Sequence, residues 1–173
     1  GYNRQKNQQM LMYILKAIEA KNPSKDFCLI SVGRGHTQKD VEQLASKLGV
    51  DGKVRFLGQR TDVPKLLNAM DMFFLPSLFE GFPIVAIEAQ TAGLPLVIAD
   101  TISKEVELTN LVHWLPIDKG AEVWAEKYYQ IAHTKVNRVQ YAPIVERKGF
   151  DARHSAQILQ DIYVKNILRN ENS

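Results

Sequence analysis

The sequence predicts a doubly wound α/β fold, a mostly parallel sheet with helices on both faces. Three observations point there. Short apolar runs alternate with stretches of helical spacing over the first 133 residues, the pattern of strands joined by helical crossovers. The runs, such as Met72-Phe-Phe-Leu75 and Leu96–Ala99, suit buried strands. Each candidate motif comes just after such a run, and in doubly wound folds ligands sit outside the carboxyl ends of the strands.

Taken in order, Met10, Leu11, Ile14, Leu15 and Ile18 form one face of a helix over 7–21. Residues 27–32 read as a strand ending at Gly33. Val41, Leu44, Ala45 and Leu48 give a helix over 38–48, with Gly49 as its stop. Val54–Leu57 is a strand closed by Gly58, and 62–69 a short helix with Asp62 as N-cap. Then come a strand at 72–75, a helix at 84–92 and a strand at 96–99. His113–Leu115 is one more short strand, and 120–133 a helix with Val123, Trp124, Lys127 and Ile131 on one side. The segment 134–153 reads as an irregular loop, and 154–169 as an amphipathic helix built on Ile158, Ile162, Tyr163 and Ile167. The chain opens on a turn leading straight into a helix, where a doubly wound unit has a strand. We therefore expect the first strand to be truncated and the chain to be part of a larger protein.

At 173 residues, about one domain is expected. An apolar content of 45% and a charged content of 24% are those of an ordinary soluble globular protein. No segment nears the roughly 18 apolar residues of a membrane span. The single cysteine, Cys28, excludes an internal disulfide or a cysteine-based zinc cluster, and its apolar neighbours predict buried strand packing. A net charge of +3 is mild: it suits an anionic ligand or a membrane surface, and Lys and Arg are too dispersed for nucleic acid. His36, His113, His133 and His154 are scattered without ligand spacing, and no metal motif or nucleophilic triad is visible. Trp114 and Trp124 read as core.

The most informative stretch is Glu80-Gly-Phe-Pro-Ile-Val-Ala-Ile-Glu88. Glu88 is the only charge in an apolar helix, and a buried carboxylate is costly unless something satisfies it. Gly81 suits a tight turn and Pro83 the first helical position, so the helix from Ile84 aims free N–H groups and its positive end at the turn. That is an anion site suited to phosphate. The plainer reading puts Glu88 on the solvent face. Arg4 and Lys6, at the mouth of the first helix, could clamp a diphosphate or be an exposed basic terminus. Gly33-Arg34-Gly35 lacks the third glycine of a dinucleotide fingerprint, so no NAD or FAD is expected. Gly58 with Arg60 would border the same crevice, and Ser77 could donate to a phosphate; each is equally ordinary as a loop residue.

These segments, with Asp71-Met-Phe-Phe-Leu-Pro-Ser77 and Ala92-Gly-Leu-Pro95, occur in an order that resembles one family over about residues 1–133. It is the group 1 type of retaining, nucleotide-sugar-dependent glycosyltransferases, which have two Rossmann-like lobes in the GT-B fold. The sequence is most similar to the bacterial enzymes of capsular and extracellular polysaccharide biosynthesis. The resemblance implies that residues 1–173 are a single donor-binding, C-terminal lobe, with the N-terminal acceptor lobe absent. It implies that Arg4 and Lys6 contact the donor diphosphate, that Glu88 holds the ribose hydroxyls, and that Glu80 lies beside the transferred sugar. The turn Gly81, Phe82, Pro83, Ile84 and Val85 would bind sugar hydroxyls and phosphate, and Gly58 to Arg60 would border the base. Where the family's glycine-rich loop often continues with proline and an acidic residue, this chain has Arg34-Gly-His36, which leaves the sugar contacts open.

The implied reaction is transfer of a sugar, with retention, from a donor such as a UDP-sugar to a glycan or lipid-linked glycan held by the other lobe. Arg4, Lys6 and the helix N-terminus would stabilise the departing diphosphate, so neither a metal nor a further cofactor is required. No second carboxylate is placed for a covalent intermediate, which favours a same-face, internal-return route. The isolated lobe is expected to bind nucleotide weakly and to transfer nothing. The resemblance implies a cytoplasmic location and leaves room for peripheral association of the full-length protein with the inner face of the membrane. Two alternatives are a sugar-nucleotide 2-epimerase-like enzyme and a non-catalytic nucleotide- or partner-binding module.

Overall fold

A computed structural model describes residues 1–23, 26–150 and 160. Five strands and six α-helices are described in the order α1 (Gln8–Lys21), β1 (Leu29–Val32), α2 (Gln38–Leu48), β2 (Val54–Gly58), α3 (Val63–Ala69), β3 (Phe73–Leu75), α4 (Ile84–Thr91), β4 (Leu96–Ala99), β5 (Val112–Leu115), α5 (Ala121–Ile131) and α6 (Tyr141–Arg147). All strand pairing within the sheets is parallel, as expected of strands joined by helical crossovers.

The described strands form two parallel sheets, in keeping with the expected α/β class: β1 pairs with β2, and β3-β4-β5 form the second. The edges of β1 and β3 face a common cavity of about 1280 Å³, lined by Leu29–Val32 on one side and Phe73–Leu75 on the other. Helix α1 joins the two halves. Its Ile14 and Ile18 belong to the large core around β3–β5, while Met12 and Leu15 pack with Tyr2, Val41, Ala45, Val50 and Val54 in a smaller one. Helix α1 lies against α2 and α5, whereas α4 lies against α3 and α6; β4 touches one helix from each group, α4 and α5. All four β4 residues have zero exposure, which requires cover on both faces of the sheet.

Several expectations hold locally. Helix α2 ends at Gly49 with φ 70°, its N–H reaching the carbonyls of Ala45 and Ser46. Trp124 is fully buried. Others are corrected. Asp62 makes no capping bond to α3, because its carboxylate is held by Arg60 at 2.7 and 2.8 Å. Pro83 is the residue before α4 rather than its first. Trp114 is only half-buried: its Nε1 donates to Glu107 at 2.7 Å and Lys104 lies over its ring. Val123 is 39% exposed, so Ala121, Trp124, Ala125 and Ile131 form the buried side of α5. Cys28 is exposed, because β1 begins one residue after it.

The segment read as a loop contains a 3₁₀ turn, Arg138–Gln140, and helix α6. Arg138 donates to the carbonyls of Asn68 (3.0 Å) and Met70 at the end of α3, and Tyr141 and Val145 are buried. Gly93, at φ 65°, allows this close approach: a Cβ there would lie 2.6 Å from Arg138 Cα. The expected helix at 154–169 lies outside the described residues, apart from Gln160, which is helical.

Candidate functional site

The site begins with the N-terminal residues, which lie on the loop after β1. Tyr2 N–H donates to the Arg34 carbonyl at 3.0 Å, and the buried Tyr2 hydroxyl pairs with Ser31 Oγ. Burial pushes the Tyr2 phenol above its ordinary pKa. A Cβ on Gly35 would fall 1.9 Å from the Tyr2 carbonyl oxygen, so only glycine admits this contact. Gly33, at φ 128°, donates to the Gly58 carbonyl at 2.7 Å and so joins the two glycine loops.

The turn that follows is stitched to the loop after β3. Asn7 sits in the left-handed region at φ 50°, unusual for a residue with a side chain, and its Nδ2 donates to the Pro76 carbonyl at 3.1 Å. Gln5 donates to the Phe79 carbonyl at 2.9 Å and accepts from Leu78 N–H at 2.8 Å. These bonds bring Lys6 against Glu80, with Nζ 2.6 Å from Oε2. The other Glu80 oxygen accepts from the buried Ser77 hydroxyl. The segment after β4 completes the support: Thr101 Oγ1 donates to the Ser77 carbonyl at 2.8 Å, and Ser103 N–H to the Glu80 carbonyl at 3.2 Å. The Glu80 side chain is 7% exposed, and both of its oxygens are occupied by protein donors.

Glu88 differs. It stands on α4, half-buried, and among the described residues its carboxylate has neither a hydrogen-bond nor an ion-pair partner. It lines the same cavity as Lys6, Gly33, Arg60, Pro83, Ile84 and Val85. At the start of α4, Ala86 N–H is taken by the Pro83 carbonyl at 2.9 Å; the N–H groups of Ile84 and Val85 have no protein acceptor among the described residues. Gly81 needs no special conformation: its φ is not positive and a Cβ would meet nothing within 4 Å. The turn therefore tolerates a side chain sterically, contrary to the expectation from its sequence.

The remaining predicted residues are less gathered. Arg4 is exposed on the turn and does not line the cavity. Arg34 is exposed, with its guanidinium beside Gly58, which has φ 64°. Arg60 forms a two-point pair with Asp62 and holds that carboxyl below its ordinary pKa. Phe82 stacks on Phe150 with ring centroids 5.5 Å apart. Among the described residues no cluster of three or more His, Cys, Asp or Glu is placed to hold a metal, and no helix is long and apolar enough to cross a membrane.

Sequence reasoning missed Gln5, Asn7, Thr101, Ser103 and Gln90. The first four act through backbone carbonyls and amides distant in sequence, and no local pattern marks them. Gln90 did carry a signal, being a polar amide on the apolar side of α4.

The sequence matches the family described as glycosyl transferases group 1 over residues 1–133. EpsF of Bacillus subtilis (strain 168), which carries a glycosyltransferase name, is 30% identical over 164 residues, covering 94% of this chain and 42% of EpsF. The lipopolysaccharide glucosyltransferase WaaG of Escherichia coli (strain K12) is 33% identical over 137 residues, 78% of this chain and 34% of WaaG. The crystal structure of WaaG superposes with a TM-score of 0.71 at 24% identity, over 88% of this chain and 41% of that one. Anabaena Alr3699/HepE in complex with UDP-glucose superposes with a TM-score of 0.68 at 25% identity, over 94% of this chain and 46% of that one. The chain thus spans less than half the length of these relatives. With 133 matched residues that include every element of the site, the chain belongs to the group 1 glycosyl transferases.

Proposed function

We propose that this chain is the donor-binding lobe of a retaining glycosyltransferase that takes a UDP-sugar and acts in bacterial surface polysaccharide biosynthesis. The observation that carries the reading is Glu88, a half-buried carboxylate without a protein partner among the described residues, lining the same cavity as Lys6, Ile84 and Val85. A carboxylate left open is a natural acceptor for the two hydroxyls of a ribose. A helix N-terminus with two free N–H groups suits a phosphate. HepE, similar in fold, is a UDP-glucose complex, which supports the choice of nucleotide.

In this reading the diphosphate lies over the N-terminus of α4, with Lys6 reaching it. The Lys6 ammonium has three donors and Glu80 takes one, so the pair positions the cation without exhausting it. Arg4, exposed on the turn outside the cavity lining, would have to reach the leaving group from the solvent side. These fixed positive groups would stabilise the departing UDP in place of a metal ion. Glu80 would border the sugar ring, and the open space beside Gly81 would admit it. The acceptor, a glycan or lipid-linked glycan, would come from a second lobe, with both lobes cytoplasmic and the acceptor at the membrane face. Attack from the side of the leaving group would retain the anomeric configuration.

Calorimetry with UDP, GDP and ADP tests this. UDP should bind this chain in the millimolar range or tighter, and Glu88→Ala should weaken it about tenfold, equivalent to about 1.4 kcal/mol. No binding of any of the three, or unchanged UDP affinity in the variant, refutes the reading.

A further inference from the structure

Gln90 is fully buried on α4, and its amide is saturated. Nε2 donates to the carbonyls of Ala86 (3.0 Å) and Val106 (2.7 Å). Oε1 accepts from Leu108 N–H (3.0 Å), Thr109 N–H (2.9 Å) and Thr109 Oγ1 (3.0 Å). Four of these five bonds run to the β4–β5 crossover. That crossover also carries Thr101 and Ser103, which hold Ser77 and Glu80 from behind, and Ile102 forms an isolated parallel bridge with Glu80. One segment thus grips both halves of the glutamate motif, Glu80 directly and the helix of Glu88 through Gln90.

The rest of α4 packs on α3, α6 and β4 through apolar side chains, which orient it less sharply than hydrogen bonds do. Its buried face otherwise presents Ala86, Ile87 and Ala89, and apolar contact is non-directional. Gln90 follows Glu88 by two residues, about 200° round the axis at about 100° per residue, so it is nearly opposite. Fixing Gln90 therefore fixes which way Glu88 faces. We propose that Gln90 is a positioning residue: through the 106–109 segment it sets the rotation of α4, and so holds Glu88 toward the cavity in register with Glu80. This rests on the ribose role assigned to Glu88 above.

The test is a double-mutant cycle on UDP affinity, measured by calorimetry well below each variant's unfolding temperature. Gln90→Met keeps the volume and removes the bonds; Thr109→Val, which loses only one of them, serves if Gln90→Met does not fold. Gln90→Met should raise the UDP dissociation constant at least fivefold in the parent chain, and less than twofold in a Glu88→Ala background. Thr109→Val should do the same with a smaller first step. Equal losses in both backgrounds, or a lowered unfolding temperature with parent affinity, would leave Gln90 as a core amide only and overturn the proposal. If Glu88→Ala alone leaves UDP affinity unchanged, it is the ribose assignment that fails, and this inference falls with it.

Discussion

Glu80 and Glu88 belong to one nine-residue motif, yet the fold treats them oppositely. The turn around Glu80 is tied from three directions: by Lys6 from the N-terminal turn, by Ser77 from its own loop and by Ser103 from the β4–β5 crossover. Glu88 stands on a regular helix and is left without a partner among the described residues. A satisfied carboxylate fixes geometry and contributes to stability. An unsatisfied one at a cavity wall contributes little to the fold and is free to take a ligand. The two residues should therefore separate cleanly when stability and binding are measured on the same variants.

The largest expected effect is on the tied side. Lys6→Met leaves the Glu80 carboxylate nearly buried without its cation, which should cost about 2 kcal/mol, less than the roughly 3–5 kcal/mol of a fully buried pair because Lys6 is partly exposed. For a chain of this size that lowers the thermal midpoint by about 4–8 °C. Glu88→Gln should shift it by less than about 2 °C while weakening UDP binding. Comparable thermal losses in the two variants would break the contrast.

A smaller effect concerns Arg60, placed by sequence reasoning beside the nucleotide base. Its guanidinium is exposed and already engaged by Asp62. Arg60→Ala should leave thermal stability unchanged, as for most exposed pairs, and alter UDP affinity by less than threefold. A tenfold loss would show that the pair with Asp62 opens to admit the ligand.

The smallest effect is a pH background. His113 on β5 is pushed below its ordinary value of 6.5, first by burial and then by the nearby Lys127. Its folded pKa is depressed, so the unfolded chain takes up the proton more readily. Stability is complete above about pH 6.5 and declines as the pH falls below it. His113→Asn should flatten that slope in urea titrations between pH 7 and pH 5, leaving any remaining dependence to the carboxylates. An unchanged slope would assign it elsewhere.

Most of the fold was legible because periodicity reports burial directly. The apolar runs became β1–β5, the helical faces became α1–α5, and Gly49 closed α2 as its φ 70° requires. Where local signals had a competitor they failed. Asp62 had the identity of an N-cap, but Arg60 two residues away took its carboxylate. Residues 134–153 carry a weak pattern, and α6 forms because Tyr141 and Val145 find cover against α4. The separation into two sheets was not legible either, since strand identity says nothing of which edges meet.

The sequence by itself determined the parallel α/β architecture, the helix that begins after Pro83 and the spacing of the two glutamates. Those follow from interactions within a few residues, where side-chain type and backbone preference suffice. Tertiary structure alone decided which glutamate is satisfied. The Lys6–Glu80 contact spans 74 positions, and the bonds of Gln90 to Val106 and Thr109 span 16 and 19. Such pairings depend on where whole elements come to rest, which is why a single motif could yield one anchored carboxylate and one left open.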